Sequence, residues 1–102
     1  MSERKVAILK ALAHPTRICI AEMLAEGEFC ACEIAECFSW DRTTISKHLT
    51  LMREVGILED RRDGVNIYYR LKMRCLLSAL KCIDQALEEG DCNERLGKST
   101  DG

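Results

Sequence analysis

The sequence predicts a mainly α (α+β) domain in which a helix-turn-helix is followed by a two-stranded β-wing. Three observations lead there. Apolar residues recur at helical spacing in five segments. Two of these, about Cys32 to Phe38 and Arg42 to Val55, are separated only by the turn Ser39-Trp40-Asp41, the spacing of a helix-turn-helix. After Gly56 the pattern changes to alternation, with Arg62-Asp63-Gly64 as turn chemistry between two short runs.

Val6, Leu9, Leu12 and Ala13 place the first helix over about residues 3 to 13. His14-Pro15-Thr16 breaks the chain and restarts it, with Pro15 suited to a first helical position and His14 to the cap. The second helix runs to about Ala25, with Ile20, Met23 and Leu24 inward and Gly27 as its stop. Glu28 to Cys32 reads as a connection. Asp41 is a good N-cap for the next helix, which buries Ile45, Leu49 and Met52 and ends at Gly56. Ile57 to Arg61 and Val65 to Leu71 are the strands of the wing. The last helix spans about Met73 to Glu89, with Leu76, Leu80, Ile83 and Leu87 on one stripe. One domain therefore covers residues 1–90, and residues 91–102 read as a flexible tail.

A chain of 102 residues supports one modest core. No apolar run reaches membrane-spanning length and no signal-peptide core follows the charged start, so a cytoplasmic protein with no membrane partner is expected. The net charge is -2, but it is unevenly spread. Between Trp40 and Arg74 eight basic residues meet five acidic ones, a local excess of +3, which leaves -5 for the rest. A basic middle between acidic flanks suits a protein that presents one face to phosphate. No acid-base pair, nucleophile elbow or phosphate loop appears, so an enzyme is not expected.

Seven cysteines are many for this length, and an odd number cannot all pair internally. In a reducing compartment, thiols point to metal binding, redox sensing or core filling. Cys30-Ala31-Cys32 stands out because it lies at the entry to the helix-turn-helix. Positions two apart on a regular helix point about 200° away from each other. The two sulfurs can therefore share an ion only if Cys30 lies in the preceding loop or the first turn unwinds. Closing both on one ion would strain the entry to the DNA-reading unit. Thiolates select soft ions such as As(III), Sb(III), Cd, Pb, Zn or Cu(I).

Several motifs in order resemble the ArsR/SmtB family of winged-helix metalloregulators, most closely its arsenic-responsive repressors. They are Ala11 to Arg17, Gly27 to Ala35, Thr44 to Leu49 with Leu51 to Leu58, and Gly64 to Leu71. The match covers about residues 6 to 72 without gaps. The resemblance implies a homodimer, with the first and last helices at the interface. It also implies repression of the protein's own operon until a soft metal(loid) ion, As(III) or Sb(III) foremost with Cd, Pb or Zn as alternatives, releases the operator DNA.

The family's usual third arsenic-binding cysteine falls at Ala35, and the nearest thiol is Cys37. The metal ligands are expected to be Cys30, Cys32 and Cys37, with Cys37 otherwise readable as core filler and Cys92 as another third ligand. Cys75 and Cys82, seven apart on the last helix, read as an interface pair. The zinc site that related sensors carry on the last helix needs Asp and His pairs, and residues 73–90 contain no His.

If the recognition helix enters the major groove, Arg42 can pair with guanine, and Thr43 and Thr44 can touch a thymine methyl or a phosphate. Ser46 and Lys47 read as phosphate anchors with His48 beside them, for DNA contact or packing, and Arg61 and Arg62 as wing contacts. Trp40 reads as packing. Two other readings are open. One is a redox-sensing repressor with a reversible disulfide, which the strained Cys-x-Cys ring disfavours. The other is a protein-interaction module, which the basic recognition helix disfavours.

Overall fold

The computed structural model describes residues 2–38 and 41–97, with side chains described between residues 3 and 89. The expectations for Trp40 and for the side chain of Cys92 fall outside these residues. Five helices and a small antiparallel sheet are formed: α1 (Ser2–Leu12), α2 (Pro15–Met23), β1 (Phe29–Cys30), α3 (Ala31–Cys37), α4 (Arg42–Glu54), β2 (Leu58–Asp63), β3 (Asn66–Leu71) and α5 (Cys75–Gly97). A 3-10 turn, Leu24–Glu26, extends α2 towards Gly27.

Local signals set the helix starts. His14 is the N-cap of α2: its backbone is extended and its Nδ1 accepts from the Thr16 amide at 3.1 Å. Pro15 follows in the first turn, where its missing N–H is no loss. Asp41 caps α4, with its Oδ1 accepting from the Thr44 amide at 2.8 Å.

The sheet has the order β1-β3-β2. The β2–β3 hairpin is the wing, in register from Leu58 opposite Leu71 to Asp63 opposite Asn66. Its turn is Gly64-Val65, one residue later than the sequence suggested. Gly64 alone takes positive φ (66°), the pattern of a type II′ hairpin. The third strand was not foreseen. Phe29 pairs with Tyr69 and Cys30 with Tyr68. The stretch before α3 is therefore bonded to the wing.

One core lies beneath these elements. Ile20, Leu24, Ile34, Ile45, Leu49, Met52, Ile57 and Leu58 are fully buried. Leu76 and Leu80 of α5 join it, but Ile83 and Leu87, on the same stripe, are 53% and 59% exposed. Val6 and Leu9 of α1 are exposed too. The helix α5 continues to Gly97, past the stop expected after Glu89. A glycine inside a helix costs about 1 kcal/mol relative to Ala, and residues 91–97 contain no proline to end the helix.

Candidate functional site

Helix α4 presents two faces. Ile45, His48, Leu49 and Met52 are buried. Arg42, Thr43, Ser46 and Lys47 are exposed and, at 100° per residue, share the opposite side, with Thr44 half-buried at its edge. Thr50, half-buried, borders Ser46 and Lys47 and was not foreseen.

His48 does not belong to the outward face and takes the packing side of its two expected roles, DNA contact or packing. It is only 8% exposed. Its Nδ1 accepts from Arg17 Nε at 3.0 Å, and its ring lies 4.6 Å from that of His14. Arg17 also donates to the Ala11 carbonyl at 3.2 Å, tying α1, α2 and α4 together. Burial, then the Arg17 charge, then His14 lower the His48 pKa from its usual 6.5. Protonation would put a donor against the guanidinium. The folded state thus disfavours the charged ring, and the stability this contributes is complete above pH 6.5. It falls as pH drops below 6.5 towards the lowered folded value. Urea unfolding of wild type and His48→Gln across pH 5 to 8 is expected to show this slope only in wild type.

Arg53 of α4 ties the wing to the body through Asp60 at 3.2 Å, and Arg70 pairs with Glu59 within the hairpin itself. Arg61, expected on DNA, is paired with acids of its own chain in this structure. Its Nε and Nη2 donate to the two carboxylate oxygens of Glu28 at 3.1 and 2.8 Å. Its guanidinium also lies over the Tyr68 ring at 4.7 Å, with Asp63 at 3.7 Å. The bidentate contact holds the Glu28 carboxyl below its usual range. Arg62 is exposed and, among the described residues, makes no ion pair. Glu28→Gln is expected to free Arg61 for phosphate. Operator affinity should rise a few-fold and the salt slope should steepen by about one counterion unit. Binding measured across a salt series checks both.

The thiol pair takes the first of the two geometries the sequence allows. Cys30 lies outside the helix, with extended backbone, as the N-cap of α3. Its Sγ accepts from the Cys32 amide at 3.2 Å, and Glu33 accepts from the Cys30 amide at 2.8 Å, completing a capping box. The Cα atoms are 5.4 Å apart and the two sulfurs are joined. They therefore meet without any unwinding of α3. Cys30 is buried and Cys32 partly exposed.

Cys37 is not brought to this pair. It sits at the far end of α3, about 7.5 Å along the axis from Cys32 at 1.5 Å per residue. It is exposed, so it is not core filler either; Ile34 and Ala35 are the buried residues of that helix. Among the described residues no group of three or more His, Cys, Asp or Glu stands ready to hold a metal. Cys19, Cys75 and Cys82 are exposed.

A half-exposed thiol pair, a basic outward helix face and a hairpin bonded to the strand that carries one thiol define a winged helix-turn-helix regulator. The profile described as "Bacterial regulatory protein, arsR family" matches residues 14–60. The arsenical resistance operon repressor of Escherichia coli is 39% identical over 82 residues, spanning 79% of this chain and 70% of that protein. A cadmium resistance transcriptional regulatory protein, a CadC homologue of Staphylococcus aureus, is 40% identical over 65 residues, spanning 63% of this chain and 54% of that protein. The crystal structure of the transcriptional repressor BigR from Xylella fastidiosa superposes with a TM-score of 0.70 at 35% identity, covering 80% of this chain and 87% of that one. The chain belongs to the ArsR family, whose members regulate transcription and are not enzymes. Among the described residues no helix is long and apolar enough to cross a membrane.

Proposed function

We propose that this protein is a cytoplasmic, homodimeric repressor that binds double-stranded operator DNA and lets go when a soft metal(loid) ion binds Cys30 and Cys32. The observation that carries the reading is the position of Cys30. It pairs with Tyr68 of the wing through β1 and caps α3 of the helix-turn-helix. An ion that closes on its sulfur pulls on both DNA-facing parts at once. Relatives named for arsenical and cadmium resistance support an ion of this class as inducer. Val6, Leu9, Ile83 and Leu87, exposed on α1 and α5, supply the apolar faces for the second copy.

In this reading Arg42, Thr43 and Thr44 read bases, Ser46 and Lys47 anchor phosphate, and Arg62 meets phosphate from the wing. Binding of reduced protein to DNA upstream of its own gene tests the operator half of the reading. Arg42→Ala is expected to cost about 1–3 kcal/mol and relax preference at one base pair. Lys47→Ala should weaken all sequences alike and lower the salt slope by about one. Equal, salt-insensitive binding to any duplex would overturn it.

A second reading is favoured by the joined sulfurs: oxidation of the same pair to a disulfide acts as the signal. Release of DNA by peroxide but not by arsenite or Cd(II) would select it.

A further inference from the structure

The chain has two histidines, and the fold brings their rings together where α2 begins and α4 passes. Both rings accept through Nδ1, from groups that can only donate. The Thr16 amide serves His14, and Arg17 Nε serves His48. Each Nδ1 is therefore bare, and each ring carries its proton on Nε2. The same guanidinium reaches the Ala11 carbonyl in α1. Three helices thus meet at one imidazole that can hold them only as a neutral acceptor.

His48 has no partner for a positive charge. Among the described residues, Arg17 and His14 are the charged or titratable groups that act on its ring, and neither is a carboxylate. A proton from solvent adds to Nδ1, because Nε2 already holds one. That breaks the Arg17 bond and sets two cations side by side in a largely buried place. Moving α4 away from α2 relieves the conflict. His48 follows Lys47 directly and Thr44 by one turn, so such a shift carries Arg42, Thr43, Ser46 and Lys47 with it.

We infer that His14, Arg17 and His48 form a proton-sensitive seat for the recognition helix, so that mild acid releases operator DNA from a protein that stays folded. The inference rests on the DNA-binding reading above and is independent of the thiols. The three side chains position α4 and do not themselves read DNA. Docked α4 requires the neutral ring, so affinity is complete above pH 6.5. It falls as pH drops below 6.5 towards the lowered pKa of the folded ring. Charge alone predicts the opposite, since an added cation near phosphate strengthens binding as pH falls.

The test measures binding of reduced, metal-free, full-length protein to a labelled duplex from upstream of its own gene. Fluorescence anisotropy follows it from pH 8 to pH 5 at constant ionic strength, with circular dichroism at each pH to report the fold. Wild-type affinity is expected to fall at least about fivefold between pH 7.5 and pH 5. His48→Gln offers Arg17 an acceptor that does not titrate, and it should hold its pH 7.5 affinity throughout. Imidazole NMR of wild type gives a second readout: the His48 pKa should be lower in operator-bound than in free protein. With two histidines in the chain, the variant also assigns the two signals. Three results would each overturn the proton switch while leaving the DNA-binding reading in place. They are an affinity that stays flat or rises as pH falls, a fall in His48→Gln within about twofold of the wild-type fall, and a His48 pKa that DNA does not move. Unfolding that precedes release would overturn it too. Equal, salt-insensitive binding to any duplex at every pH would overturn both.

Discussion

Cys30→Ser is expected to keep the fold and lose the ion. Cys30 holds the N-cap of α3 through its sulfur, a poor acceptor, and serine is among the best residues for that position. The variant should therefore fold with unchanged or slightly raised stability, and its Glu33 contact should persist. What it lacks is one of two thiolates. Soft-ion affinity should fall by about 100-fold or more, equivalent to roughly 2.7 kcal/mol. Competition titration with arsenite and with Cd(II), beside urea unfolding, separates the two effects. A large loss of stability with intact ion binding would reverse the role assigned to this thiol.

Ile83→Glu combined with Leu87→Glu is expected to yield a folded monomer that hardly binds operator. Both side chains are more than half exposed and lie beyond the part of α5 that packs on the core, so the monomer loses no buried contacts. Burying two carboxylates against a second copy would leave charges without partners. A dimer on two half-sites gains avidity of about 10²–10⁴ from its linkage, and the monomer forfeits it. Sedimentation velocity reports the oligomeric state, and operator binding reports the loss. A dimeric double variant with normal DNA affinity would place the interface elsewhere.

Most of the fold was legible because its signals are local. His14-Pro15, Asp41 and the alternation around Gly64 each act within a few residues, and α2, α4 and the two wing strands stand within a residue or two of their expected places. What was missed is non-local or short. The strand β1 has two residues, too few to show alternation, and its partner lies far along the chain. The Arg61–Glu28 contact joins residues 33 apart, with no spacing rule to announce it. His48 was readable in principle. It follows Ile45 by three and precedes Met52 by four, which places it on the buried stripe and favours packing over DNA contact, two roles its polarity left open. Gly90 was read as a stop where the helix runs on, because glycine weakens a helix without forbidding it. In the thiol site, Cys30-x-x-Glu33 has the spacing of a capping box, hidden by the unusual cap residue.

The most direct measurement follows fluorescence anisotropy of labelled operator DNA bound to reduced protein as arsenite or Cd(II) is added. Wild type should release the DNA as about one ion per chain binds, and Cys30→Ser and Cys32→Ser should hold it at the same ion concentrations. Equal release from wild type and both variants, or no release from wild type with its two thiolates occupied, would contradict the thiol switch.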